Sequence, residues 1–351
     1  MAAYRAMSHL PLLLHKSRLR SRASRLSWAV ALTVALCVAT SATSVARAAA
    51  PLRPLPTSMA AMGDSISLAF NTHTDPATVP FPPDGSGCPD GQGGLTGFPF
   101  DCPEHSWSTG TSPSVQSMYL RLAALNPEIV GHQHNDAVSG VKVSDLGRQA
   151  SVAVSQAASF VTVNIGINDA CTPTISDETT LADFRVQFQA AMTTLAASPT
   201  RPLIEVISIP NVFREWQLFR NDSNAQFRWG LAGICQAMFA NPTSMLPADF
   251  ARRLTVLARI ISYNVVEAEI CARTPRCHSD GGAVFAWPFT AADISTVANT
   301  GRITNVPALA NFPVFGPGIP NSTGDYFHPS TVGQAAIADI AWRHSVFRSD
   351  K

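Results

Sequence analysis

The chain has 351 residues, 46% hydrophobic and only 14% charged, and its 25 basic and 24 acidic residues leave a formal net charge of +1. That composition provides ample material for a core and argues against a disordered tail, a collagen-like fibre or a coiled coil. The charge is unevenly spread: Arg5, Lys16, Arg18, Arg20, Arg22, Arg25 and Arg47 all fall in the first 50 residues, where there is no acid, so the remainder holds 18 basic against 24 acidic residues, a balance of −6.

The basic stretch through Arg25 leads into an apolar run over 28–38 and then into small residues ending Ala46-Arg47-Ala48-Ala49-Ala50. A positive flank, a short apolar centre and an A-x-A site form the pattern of a secretory signal peptide. About a dozen apolar residues are too few for a membrane span, which needs roughly 20. The sequence therefore predicts a signal peptide over 1–50, cleaved near Ala48 or Ala50, a Pro-rich leader over 51–57, and one domain over 58–351 of a secreted protein. Six cysteines remain after the leader, and an even number in an oxidising compartment implies three disulfides. Of the 15 pairings, short loops favour Cys88 with Cys102 and Cys271 with Cys277, which leaves Cys171 with Cys235. A metal site is the weaker reading, since no C-x-x-C pair occurs and His132 and His134 lie far from any cysteine.

Along the mature chain, strand-like apolar runs at 58–62, 128–132, 160–165, 203–209 and 283–285 alternate with helical stretches at 114–125, 143–158, 181–197, 251–272 and 331–346. Such alternation predicts an α/β fold with a mostly parallel sheet and helices on both faces, binding ligands beyond the carboxyl ends of its strands. Two tracts break the rhythm. Residues 71–113, rich in Pro, Gly, Asp and Ser, read as an ordered loop forming one wall of a cleft with Trp107, and 290–324 lacks helical periodicity.

Three blocks carry chemistry. Gly63-Asp64-Ser65 follows the first strand, where a hydroxyl would face the cleft beside backbone N–H groups able to cradle an oxyanion. Gly166-Ile167-Asn168-Asp169 follows the third, where Asn168 would offer its amide over the same edge. Asp325-Tyr326-Phe327-His328 precedes the last helix, and a His so placed can turn one ring nitrogen to a carboxylate and the other to a Ser hydroxyl, converting a poor nucleophile into an acyl acceptor. Each has a bland reading alone: a capping Ser, turn-forming Asn-Asp, a helix-start His.

Together, in this order, the blocks make the chain resemble the SGNH (GDSL-type) hydrolase superfamily, from Met59 to about Trp342, and in its secreted, six-cysteine form the actinobacterial lipase/esterase and phospholipase-B-like branch, in which three disulfides are usual. The resemblance implies a three-layer α/β/α sandwich around a mostly five-stranded parallel sheet, flavodoxin-like. It also implies Ser65 as nucleophile, His328 as general base, Asp325 as its orienting carboxylate, and an oxyanion hole of Ser65, Gly140 and Asn168. Gly140 is taken from the segment Asn135 to Val141 after the second strand, with Gly131 and Gly147 as neighbours that could stand in its place. No metal or organic cofactor is expected.

The expected partner is a small-molecule or lipid ester, met by a monomer without membrane insertion; with Lys142 and Lys351 as the only mature lysines, nucleic acid is not expected. Phe98, Phe100, Trp107, Phe213, Trp216 and Phe219 read partly as an acyl-binding surface and partly as core. An acetyl esterase acting on polysaccharide is the alternative reading on the same residues. A non-catalytic secreted binding protein is a third. Asn221-Asp222-Ser223 and Asn321-Ser322-Thr323 match the glycosylation sequon.

Overall fold

In the computed structural model, residues 54–72, 79–80, 101–299, 303–304 and 324–347 are described. The expected signal peptide, Cys88, Phe98, Phe100 and the sequon at Asn321 lie outside them. Five strands, β1 (Met59–Gly63), β2 (Gln133–Asn135), β3 (Phe160–Asn164), β4 (Leu203–Val206) and β5 (Cys277–Ser279), form one sheet in the order β2-β1-β3-β4-β5, every neighbouring pair parallel. This is the α/β fold and five-stranded parallel sheet the sequence implies. A separate two-residue parallel pairing joins Val79–Pro80 to Ile303–Thr304.

The helices are α1 (Met118–Leu125), α2 (Leu146–Ser155), α3 (Ile167–Ala170), α4 (Leu181–Ala196), α5 (Val212–Phe219), α6 (Ser223–Leu231), α7 (Gln236–Phe239), α8 (Pro247–Arg273), α9 (Ala283–Ala286) and α10 (Thr331–His344). Side chains alternate across a strand, so β3 separates the two outer layers. Thr162 bonds Ser108 (2.6 Å) and Phe160 meets Phe347 edge-on, on the side where α1 packs against α10. Val161 and Val163 project the other way, and α2, α4 and α8 pack in series as the second helical layer. β1 and β3 are wholly buried, which is why they read as continuous apolar runs.

Two strands differ from expectation, and both are edges. Around 128–132, Asn126 accepts from the Glu128 N–H and starts a single 3₁₀ turn over Pro127–Ile129; only Ile129 is buried while Val130 is exposed, and the strand begins at Gln133. Residues 283–285, expected as the fifth strand, are helix α9; the strand is Cys277–Ser279, tied by the Cys271–Cys277 disulfide and by His278 against Glu205 (3.2 Å). An edge strand has one paired side and needs no apolar run, so its polar sequence hid it.

The stretch from 212 to 239, given no element from sequence, folds into α5, α6 and α7. Phe213, Trp216 and Phe219 therefore recur along a helix rather than lining a loop. Trp216 and Phe219 are buried, the first beneath the Arg253 guanidinium and the second against Tyr326, so neither belongs to an acyl-binding surface. Trp107 is likewise fully buried core rather than cleft wall.

Candidate functional site

In an open sheet of this order the topological switch point lies between β1 and β3, and a ligand crevice forms beyond their carboxyl ends. The sequence blocks emerge there. After β1 the chain turns at Asp64, whose carbonyl accepts from the N–H groups of Ser67 (3.0 Å) and Leu68 (3.2 Å), and Ser65 sits in this turn with only 4% of its surface exposed. The turn is clamped from α2, where the fully buried Gln149 both donates to the Gly63 carbonyl (2.9 Å) and accepts from its N–H (2.7 Å).

His328 reaches this hydroxyl: Nε2 lies 2.8 Å from Ser65 Oγ, and Nδ1 lies 2.5 Å from Asp325 Oδ2. The spacing of Asp325 and His328 has a local cause. Tyr326 takes a left-handed backbone (φ +61°), so the chain folds back and Asp325 Oδ1 accepts from the N–H groups of both Phe327 and His328 at 3.0 Å. Strain of this kind persists where surroundings hold it. Here the Tyr326 N–H donates to Ser295 O, its carbonyl accepts from Trp229 Nε1, and the His328 carbonyl accepts from the Ser295 N–H. Phe70 and Phe327 pack against the imidazole, with ring centroids at 4.6 and 5.0 Å.

Electrostatics favour an ionised Asp325. Burial alone would raise its carboxyl, but the His328 charge, the His328 side-chain bond and the two backbone N–H groups outweigh it and hold the group below the usual carboxylate range. Nearby Glu215, buried on α5, is pushed well above its ordinary value by burial and then by the charge of Asp325. Asp64, fully buried, is raised to about 7 by desolvation, against its hydrogen bond from Ile66.

The third wall comes from β3 and the loop after β2. Gly166 turns the chain with φ +118°, where a Cβ would meet Ile209 Cδ1 at 2.6 Å and the Phe184 ring at 3.0 Å. α3 then presents Asn168, whose Nδ2 donates to the Val141 carbonyl (3.0 Å), while Asp169 accepts from the Val143 N–H (2.9 Å) and the Thr179 hydroxyl (2.6 Å). Gly140, at φ +79°, immediately precedes the first of these tethers at Val141. Among the described residues the N–H groups of Ser65 and Gly140 donate to no backbone carbonyl. Of the three glycines in this region, Gly140 faces the crevice; Gly131 precedes β2 and Gly147 lies within α2.

The crevice is a cavity of about 470 Å³ onto which Ser65, His328, Gly140 and Asn168 open together with Phe70, Val138, Ile234 and Phe327. Its far wall, Gly233-Ile234-Cys235, is bound to the end of α3 by the Cys171–Cys235 disulfide. The pairing of Cys88 with Cys102 lies outside the described residues. The one cluster of potential metal ligands among the described residues, Cys102, Glu104 and His105, involves a sulfur already committed to a disulfide, so it lacks the thiolate a soft-metal site would use. Neither His132 nor His134 joins a cluster of that kind among the described residues.

Sequence reasoning missed the residues that brace the site. Asn71 donates to Asp325 Oδ2 (2.7 Å), Gln334 of α10 holds the Ile66 carbonyl (2.9 Å) and the Trp107 N–H (2.9 Å), and Asp101 accepts from the Ser139 hydroxyl (2.5 Å). For Gln149 a signal existed: it shares a face with Leu146, Ala150 and Ala153, and a polar side chain on the apolar stripe of a helix needs a buried partner.

The arrangement suits acyl transfer. A hydroxyl can pass its proton to an imidazole braced by a buried carboxylate, beside donors able to meet a developing oxyanion, and a largely apolar cavity can take the remainder of a substrate. A family model described as GDSL-like Lipase/Acylhydrolase matches residues 59–341. No curated relative matches the chain. Among solved structures, the chain is similar to a phospholipase A1 from Streptomyces albidoflavus, at 16% identity over 82% of this chain and 99% of that one with a TM-score of 0.37. It is also similar to a psychrotrophic esterase, EstA, from Pseudoalteromonas sp. inhibited by monoethylphosphonate, at 11% identity over 82% and 96% with a TM-score of 0.36.

Proposed function

Since the chain belongs to the GDSL-like lipase/acylhydrolase family and is a carboxylic ester hydrolase, we propose that it is a secreted enzyme that cleaves its esters through an acyl-enzyme on Ser65, with His328 as general base and Asp325 as the carboxylate that orients it. The observation carrying this reading is the unbroken hydrogen-bonded line from Ser65 Oγ through both ring nitrogens of His328 to Asp325 Oδ2.

In the first step His328 Nε2 takes the Ser65 proton as Oγ attacks the ester carbonyl, and the imidazolium is stabilised by Asp325. The oxyanion is received by the N–H groups of Ser65 and Gly140 and the Asn168 amide, each such donor supplying up to about 3–4 kcal/mol. His328 then protonates the leaving alkoxide, which departs as the alcohol. Water repeats the sequence on the acyl-enzyme, releasing the acid and restoring Ser65. The Val141 carbonyl occupies one N–H of Asn168 and leaves the second for substrate.

The apolar part of the cavity wall supports an acyl chain longer than acetyl as the group bound there, which favours a lipase or esterase over a deacetylase. Export is supported by the signal-like leader and by the Cys171–Cys235 and Cys271–Cys277 disulfides. No described helix is long and apolar enough to cross a membrane. We read 1–50 as the discarded leader and 58–351 as a single domain.

Ser65→Ala tests the reading directly. It is expected to abolish p-nitrophenyl ester hydrolysis and labelling by an organophosphonate while leaving the circular dichroism spectrum unchanged. A folded variant that still turned over ester would sink the assignment.

A further inference from the structure

The weakest part of any oxyanion hole built on glycine is the peptide that carries the glycine N–H. At φ +79° with no Cβ, Gly140 can rotate its preceding peptide at little steric cost, and a flipped peptide would aim a carbonyl rather than an N–H at the reacting oxygen. Something must therefore hold the 139–140 peptide.

The surrounding residues are all tethered. Val138 N–H donates to the Gly63 carbonyl (3.2 Å), the Val141 carbonyl accepts from Asn168 (3.0 Å), and between them the Ser139 hydroxyl donates to Asp101 Oδ1 (2.5 Å). Asp101 belongs to none of the three sequence blocks, yet it is 5% exposed and opens onto the same cavity as Ser65 and Gly140. Its position is fixed in turn to the nucleophile turn, because the next residue, Cys102, donates its N–H to the Leu68 carbonyl (2.9 Å).

We propose that Asp101 is a positioning residue for ester hydrolysis: through Ser139 it locks the 139–140 peptide so that the Gly140 N–H points at the oxyanion. The inference rests on the serine-hydrolase reading above. Burial raises the Asp101 carboxyl to about 6 against the pull of Ser139 and His328, so at neutral pH it is the ionised, stronger acceptor for the Ser139 hydroxyl.

Steady-state kinetics on a p-nitrophenyl ester with Ser139→Ala, Asp101→Ala, the double variant and Asp101→Asn test it. Each single alanine variant is expected to lower kcat by roughly ten- to a hundredfold, less than the 10²–10³ of removing a donor outright, with KM within about twofold. The double variant is expected to fall no further than either single one, because both break the same link. Asp101→Asn, whose amide oxygen can still accept from Ser139, is expected to recover most of the loss. Multiplying losses in the double variant, a change confined to KM, or an Asp101→Asn as poor as Asp101→Ala would each overturn the lock. Ser139 is half-buried and loses one hydroxyl, so Ser139→Ala decides the matter if Asp101→Ala does not fold. Ser65→Ala in parallel separates the two claims: if it is inactive while both alanine variants keep full kcat, only the lock fails, and if it is active the catalytic reading fails first.

Discussion

The carboxylate oxygen of Asp325 that faces His328 Nδ1 also accepts a 2.7 Å hydrogen bond from Asn71 Nδ2. Asn71 is 5% exposed, and its carbonyl in turn accepts from the Ser295 hydroxyl, in the segment that braces the Asp325-to-His328 turn. Asn71 thus fixes the carboxylate that faces His328. Asn71→Ala is expected to lower kcat about tenfold with KM little changed. Asp325→Asn, which removes the charge, is expected to cost more than Asn71→Ala and less than His328→Ala. Steady-state kinetics on one ester across the three variants checks the ranking.

The Cys171–Cys235 disulfide joins the residue that ends α3 to the cavity wall at 233–235, across 64 residues of sequence. Loop-closure entropy makes such a link worth about 4 kcal/mol of stability. The double variant Cys171→Ala, Cys235→Ala is expected to lose that much in urea unfolding. Because the same link holds Ile234 against the cavity, KM for long-chain esters is expected to rise more than KM for acetate.

The central strands were legible because burial on both faces favours apolar residues: β1, β3 and β4 read as mostly apolar runs in the sequence. The edges β2 and β5 were not, since Gln133-His134-Asn135 and Cys277-His278-Ser279 pair on one side only and carry polar residues. The candidate site residues that the structure brings together were legible for a different reason. Asp325 with His328, and Gly166 with Asn168, are local turns whose chemistry is written within four residues. Their braces are written across the chain: Gln149 meets Gly63 over 86 residues, Asn71 meets Asp325 over 254, and Gln334 meets Ile66 over 268. No spacing rule reaches that far, so a polar residue on a buried helix face is the only hint. Which of the aromatics are core was left open for want of the helix: Trp216 and Phe219, spaced by three, are the core stripe of α5.

Ile234 lines the cavity between the disulfide and the exposed end of α6, half-buried and packed against the edge of the core, so its size sets the shape of this wall. Ile234→Trp is expected to narrow the cavity and lower kcat/KM for p-nitrophenyl decanoate at least tenfold relative to the acetate. Ile234→Ala is expected to move the preference toward longer acyl chains, each methylene gained or lost in such a pocket changing binding by about 1–3 kcal/mol. A flat acyl-length profile in both variants would mean that the acyl chain does not run along this wall.

Asp64 supplies a pH signature in stability rather than in rate. Burial raises its carboxyl from 3.8 to about 7. Between those values the folded protein holds a proton that the unfolded chain has released, so the unfolding free energy falls as pH rises through the window and levels off above it. Asp64→Asn cannot titrate, and its side-chain oxygen can still accept from the Ile66 N–H as Asp64 Oδ1 does at 3.0 Å. Relative to the variant, the wild type is therefore expected to lose roughly 2–3 kcal/mol of stability between pH 5 and pH 8. Groups that do not interact with Asp64 cancel in that difference, so urea unfolding of the pair at the two pH values measures Asp64 together with its coupling to His328 and Asp169. A difference that stayed constant would show that Asp64 is ionised in the folded protein already at pH 5.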